Sequence, residues 1–262
     1  MKPILITGDI HARVDAITYV DNLAKELGIE TVVQVGDWGG HWRGLNEVCP
    51  VDKYFATRTE GPTWYTCGGN HENYTAIEQL PEVNGWREIH PEVHFASRPA
   101  FLYELDMSWC FMGGAESTDC HHRLPEFTWW ERETPTDKEM YEFAAVLKAA
   151  KPEVLITHDV HTNHRPQRDG YCAFSNKTSD HTARGLTAAY DAAPTKPQWW
   201  FYGHHHDLSN SRNAETAFMG CGLHGQGYIL VPTSTGPFPT KFDMRGMPVK
   251  LVKENVEKLL AS

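Results

Sequence analysis

Five short stretches of this chain place metal-ligand residue types directly after apolar runs. They are Gly8-Asp9-Ile10-His11, Gly36-Asp37, Gly69-Asn70-His71-Glu72, His158-Asp159 and Gly203-His204-His205-His206. The runs before four of them are Ile4-Leu5-Ile6, Val32-Val33-Gln34-Val35, Val154-Leu155-Ile156 and Trp199-Trp200-Phe201-Tyr202. Thr63 to Thr66 reads as the strand before the remaining one. A side chain just past a strand lies on the edge of a sheet, where open α/β folds place their sites. A chain built this way must bring several strand ends to one place.

At 262 residues the chain is long enough for one large domain or two small ones, and its 40% hydrophobic content provides for a sizeable core. We see no internal repeat, low-complexity tract or linker, so we expect a single domain over residues 1–262. The formal charge of -10 argues against a general nucleic-acid coat protein. It does not exclude a local nucleic-acid site, because bound divalent cations reverse the potential there. The six cysteines form no C-x-x-C pair and no disulfide framework. With no signal peptide and no apolar run of membrane-spanning length, a cytoplasmic protein with reduced thiols and no membrane contact is expected.

Ile4 to Thr7 reads as a buried strand. Apolar residues at helical spacing follow from Asp15 to Leu27, with Gly28 as a stop, and Thr31 to Val35 is a second strand. This order specifies a right-handed parallel βαβ unit. A helix is expected between Leu45 and Ala56. Val93 to Ala96, Ala100 to Leu105 and Ser108 to Met112 read as short strands, the last two as a hairpin. Gly113 to Pro135 reads as loop. Asp137 to Ala150 reads as a helix capped by Thr136, with Glu139 completing a capping box. Val154 to Thr157, a helix at His181 to Ala192, and strands Gln198 to Tyr202, Ala217 to Met219 and Tyr228 to Val231 complete the pattern, with an amphipathic helix at Lys250 to Leu260. Two sheets with helices outside fit this order.

Each ligand stretch alone has an ordinary reading. D-x-H is common, Gly-Asp and Asn-containing turns are frequent, and a lone His at a strand end is usually structural. In extended backbone, i and i+2 side chains share a side, so Asp9 and His11 can meet one ion, and His204 and His206, which repeat that spacing, are expected to bind metal. His205 then faces away. Asn70 offers a neutral hard oxygen suited to Mn, Fe, Zn or Mg. The full set is Asp9, His11, Asp37, Asn70, His158, His204 and His206.

This pattern, D-x-H, G-D, G-N-H-[ED], H and G-H-x-H, resembles that of the calcineurin-like metallophosphoesterases and runs from Asp9 to His206. The resemblance implies an α/β sandwich of two mixed β-sheets flanked by helices. It implies Asp9, His11, Asp37 and His206 on one divalent metal ion, and Asp37, Asn70, His158 and His204 on a second, with Asp37 bridging. It also implies that His71 contacts the phosphate or protonates the leaving group. Two such cations lower the pKa of a bridging water and stabilise an in-line displacement, so hydrolysis by a metal-activated hydroxide needs no phosphoenzyme. The serine/threonine phosphatases of that family carry G-D-x-x-D-R-G. Here the segment is Gly36-Asp37-Trp38-Gly39-Gly40-His41-Trp42, without the second Asp or the Arg.

A small phosphodiester or nucleotide-like substrate is therefore expected, with phosphomonoester hydrolysis, including that of phosphoproteins, as the alternative. A catalytically inert metal-bound scaffold is a third, disfavoured because no ligand is lost. Arg165 and Arg168 are expected to contact the substrate phosphate, and Trp129 and Trp130 to cover a flat group. Gly220 to Gly225 fits G-x-G-x-x-G but precedes a strand, so a dinucleotide site is not expected. Cys120-His121-His122 lacks a fourth ligand nearby.

Overall fold

The computed structural model describes residues 2–39, 49–166 and 180–261. Two mixed sheets face each other, with helices on both outer sides. The first begins with β1 (Ile4–Thr7), β2 (Thr31–Gln34) and β3 (Thr63–Thr66), joined by β6 (Val93–Ala96) into a parallel centre. On one flank lie β5 (Trp86–His90) and β4 (Glu82–Val83), and on the other β13 (Gln226–Thr233) and β14 (Gly236–Asp243), all antiparallel to their neighbours. The second sheet has the order β11 (Asn210–Arg212), β12 (Ala217–Gly220), β10 (Trp199–Tyr202), β9 (Val154–Thr157), β8 (Met107–Met112) and β7 (Ala100–Glu104), with β12, β10, β9 and β8 parallel. The expected hairpin is β7–β8.

Strand alternation sorts the apolar side chains into three layers. Leu5 and Val32 point outward onto α1 (Val14–Leu27), α2 (Pro50–Thr57) and α6 (Val249–Leu260), where they meet Ile17, Val20, Phe55 and Val252. Ile4, Ile6 and Val33 point inward and meet Phe111, Ile156 and Phe201 of the second sheet. Leu155 and Trp200 point outward from that sheet onto Phe143 of α4 (Asp137–Ala150) and Leu186 of α5 (His181–Ala192). A four-residue helix, α3 (Tyr74–Ile77), follows the third ligand stretch. Of the helix expected from Leu45 to Ala56, residues 40–48 lie outside the described part, and the helix is found from Pro50. No disulfide joins the described cysteines. No described helix is long and apolar enough to cross a membrane.

Four strands escaped the sequence reading. β11 is wholly exposed and polar, and β14 carries Pro237 and Pro239, which an edge strand tolerates. β4 and β5 are joined by Asn84-Gly85, both at positive φ (53° and 85°), the pattern of a tight hairpin turn. That dipeptide was the available signal.

The capping box at α4 is present in full: the Thr136 hydroxyl accepts from the Glu139 amide, and the Glu139 carboxylate accepts from the Thr136 amide at 2.7 Å. Glu139 also takes both Arg132 nitrogens, at 3.1 and 2.9 Å. Burial works to raise the Glu139 carboxyl, but Arg132 and the Thr136 amide overcome it and bring it down to about 2. A depressed carboxylate contributes stability above its unfolded pKa and loses it as the pH falls. Glu139→Gln should therefore cost about 1 kcal/mol near neutral pH, a fall in Tm of roughly 2–4 °C. The gap from the parent should close as the pH drops from about 4.5 towards about 2. Thermal melts across that range check it, and a gap independent of pH would refute it.

Candidate metal centre

The five strand-end stretches converge, three from the first sheet and two from the second. Asp9, Asp37 and His158 are fully buried or nearly so, while the His206 side chain is 42% exposed. Asp37 is the centre of the set. Its Oδ1 lies 3.2 Å from His158 Nε2, and its Oδ2 lies 3.5 Å from His11 Nε2. The two oxygens thus face two different groups of donors.

On the open side, one ligand atom from each of Asp9, His11, Asp37 and His206 falls within 4.8 Å of all the others. His206 Nε2 is 3.2 Å from Asp9 Oδ2 and 3.1 Å from His11 Nε2. On the buried side, Asn70 Oδ1 lies 3.2 Å from His158 Nε2 and 3.0 Å from His204 Nδ1. Burial pushes His11 down to about 4 and His204 well below the usual range, so both imidazoles present lone pairs near neutral pH. Burial also penalises the charged form of His158, yet Asp37 outweighs it and raises this group to about 10. A cation entering there competes with that proton. Carboxylate, imidazole and amide oxygen converging in two sets that share one carboxylate fit two divalent ions of the Mn, Fe or Zn type.

The reason for the pairing differs from the extended-strand expectation. His11, Asp37, His204 and His206 all lie at positive φ, from 48° to 63°, so the backbone has turned out of the strand. His204 and His206 consequently diverge, His204 to the Asn70 side and His206 to Asp9. Hydrogen bonds hold these turns. Ile10 and His11 amides donate to the Asp37 carbonyl at 3.0 and 2.9 Å, and the His204 amide donates to Asp9 Oδ2 at 3.0 Å. Glycine precedes Asp37, Asn70 and His204 because there is no room for a Cβ: one on Gly36 would collide with His158, one on Gly69 with Asp37, and one on Gly203 with Asp9.

A second layer of residues aims the ligands. His158 Nδ1 lies 2.8 Å from the Val35 carbonyl, which directs Nε2 at Asp37. The Asn70 amide nitrogen donates to Ser117 Oγ at 3.1 Å, and that hydroxyl donates to Glu133 at 2.9 Å, so the Asn70 oxygen faces His158 and His204. Glu72, buried and pushed up to about 7 by burial and by Asp37, accepts from the Trp38, Gly39 and Gly69 amides. It ties the loop after β2 to the loop after β3. His205 turns away, as expected, onto Asp159 at 3.0 Å.

His71 lies at the mouth, its ring 4.8 Å from that of His11 and its Nε2 4.0 Å from Asp37 Oδ2. Sequence reasoning missed Ser117, Glu133, Arg123 and His224. The His224 amide donates to the Asp9 carbonyl at 2.7 Å, and its ring stands 5.9 Å from that of His11. The glycine-rich stretch around it therefore lines Asp9.

Two expectations fail here. Arg165 is 9% exposed and bonded to Asp159, at 2.7 Å, and to Asp180, so both carboxylates already engage it. Of the two tryptophans expected to cover a substrate, Trp130 is buried at 2% in the core and cannot do so, while Trp129 is half-buried. Arg168 lies outside the described residues. Cys120, His121 and His122 form an exposed 3-10 turn apart from the metal-capable cluster.

A family model described as calcineurin-like phosphoesterase matches residues 2–208. No curated protein matches the chain. Among solved structures, the anchor in the inner membrane complex of Plasmodium superposes with a TM-score of 0.60 at 13% identity, over 95% of this chain and 86% of that one. A candidate 5'-nucleotidase from Staphylococcus aureus superposes with a TM-score of 0.51 at 12% identity, over 98% of this chain. The chain spans only 58% of that protein's length. Likeness at these identities reports the fold.

The Ser117–Asn70 bond generates a test. Ser117→Ala frees the Asn70 amide to rotate and should weaken one of two bound ions by about 10–100-fold, leaving the other unchanged. Titration calorimetry with Mn or Zn resolves the two sites. Equal weakening of both, or of neither, would contradict this role.

Proposed function

Because the chain belongs to the calcineurin-like phosphoesterase family, whose members are phosphoric ester hydrolases, we propose that it hydrolyses a small phosphodiester or nucleotide-like substrate on two divalent cations. The observation that carries this reading is the division of the Asp37 oxygens between two donor sets. When bound, such ions supply Lewis acidity towards phosphoryl oxygens and a nucleophile at neutral pH.

The residues divide the remaining work. Asp37 would serve both ions. Asp9, His11 and His206 would hold the one at the open side, and Asn70, His158 and His204 the one beneath. Substrate approaches from the open side, because His206 is exposed there while Asn70 and His158 are buried. His71 stands at that opening, within reach of a phosphoryl or leaving-group oxygen. The lean towards a nucleotide-like group draws support from Leu124 and Phe127, 62% and 53% exposed on the loop that carries Arg123. They offer the apolar face that Trp130 does not.

Two variants separate the roles. Asp37→Asn should lose both ions and abolish hydrolysis of an aryl phosphate ester. His71→Ala should keep both ions and lower kcat by roughly two to four orders of magnitude, the span of general acid–base catalysis. Elemental analysis beside steady-state kinetics decides. Wild-type turnover in Asp37→Asn removes the bridging role, and loss of metal in His71→Ala makes it a ligand.

Substrate class is tested separately. With Mn present, kcat/KM for a nucleotide diester should at least equal that for phosphopeptides. Phosphopeptides ahead by orders of magnitude would reverse the assignment.

A further inference from the structure

Arg123 belongs to the irregular stretch between β8 and α4, and the sequence did not single it out. Its side chain is only 10% exposed. The guanidinium spans three acceptors: Nη1 donates to the Asn70 carbonyl at 3.1 Å, and Nη2 lies 3.0 Å from His71 Nε2 and 2.9 Å from Asp119 Oδ1. A guanidinium has donors only and stays charged. In the contact with His71, Nη2 must therefore donate and Nε2 must accept. The ring proton then resides on Nδ1.

We propose that Arg123 is the positioning residue of His71, fixing both the direction of its ring and its tautomer. One planar fork grips the carbonyl of Asn70 and the ring of the next residue, so the ring cannot swing without losing a charge-assisted bond. Asp119 anchors the fork from the other side. The His71 amide donates to Asp37 Oδ1 at 3.0 Å, which fixes the backbone from which the ring projects. Together these contacts hold Nε2 beside the Asp37–His11 edge of the centre, where it accepts from the guanidinium and can protonate a leaving group only after taking up a proton at Nε2 itself. A lysine cannot reproduce this, since a single ammonium presents a point charge and not a fork.

The proposal rests on the functional reading only where it predicts turnover; the tautomer is tested independently. In the zinc-loaded protein, 15N imidazole spectra, with His71 identified by its absence in His71→Gln, should show an unprotonated Nε2 and a protonated Nδ1. In Arg123→Ala that signature should give way to mixed tautomers, with zinc content unchanged. The kcat for an aryl phosphate ester should fall by about 10²-fold, the scale of a small misplacement of a reacting group, while KM stays within a few-fold. Arg123→Lys should recover less than a tenth of the lost rate. A protonated Nε2 in the parent overturns the proposal, as does a kcat within twofold in Arg123→Ala or a change confined to KM. If Arg123→Ala does not fold, the parent spectrum and the Lys variant decide. If the parent hydrolyses no phosphate ester, the functional reading fails while the spectra still judge the positioning.

Discussion

Asp37 is the joint on which the remaining geometry depends. Its carboxylate Oδ1 accepts the amides of Asn70 and His71, at 2.8 and 3.0 Å, and faces His158, while its carbonyl accepts the amides of Ile10 and His11. One residue therefore fixes the ends of β1, β2 and β3 and meets the end of β9 across the sandwich. It does this from a left-handed backbone, with φ at 56°, a conformation that costs of order 1–3 kcal/mol and persists only where surrounding structure over-determines it. The over-determination is visible. Burial opposes a charge on Asp37, yet the surrounding imidazoles of His158, His71 and His11 hold the carboxyl well below its usual range.

The strained turns have a common cause. A strand continued past Gly36 or Gly203 would carry its polar side chains away from the sheet end. Turning into the left-handed region brings them back over it. The result is a site with two unequal halves. Asn70, His158 and His204 are buried and braced by Ser117, Glu133 and the Val35 carbonyl. His11, His71 and His206 stand at the opening, with Arg123 and His224 beside them. Rigid support lies under the buried half, and the more exposed groups lie on the other.

Most of the strands along the chain, the cap of α4 and the end of α1 were legible because each rests on local chemistry. Alternating apolar runs, Thr136 with Glu139, and the stop at Gly28 are signals within a few residues. The convergence of Asp9, His11, Asp37, Asn70, His158, His204 and His206 was legible because each follows a strand. Asp9 and His11 do not meet through extended backbone, since His11 lies at φ 48°. The residues that sequence missed are those whose partners are distant. Ser117 meets Asn70 across 47 positions and Arg123 meets His71 across 52. Arg165 misled for the same reason: a charged residue in a loop near a ligand looks available until Asp159 and Asp180 are seen to hold it. Asn84-Gly85 is a local turn signal that marks the β4–β5 hairpin.

The division of ligands between the sheets gives the centre a further consequence. Asp9, His11, Asp37 and Asn70 follow strands of the first sheet, and His158, His204 and His206 follow strands of the second. Neither sheet carries a complete donor set for either half. The inward-facing layer of Ile6, Val33, Ile156 and Phe201 must therefore pack before the site exists. Hydrophobic packing sets the separation of the sheets, and hydrogen bonds through Asp37, Asp9 and Glu72 set the positions of the strand ends to within bonding distance. A cation bound across that seam favours the packed sandwich over any state in which the sheets part, because only the packed state presents both halves of its ligand sphere. Stability and catalytic geometry thus draw on the same contacts, which is why strain can be stored at His11, Asp37, His204 and His206 without loosening the fold around them.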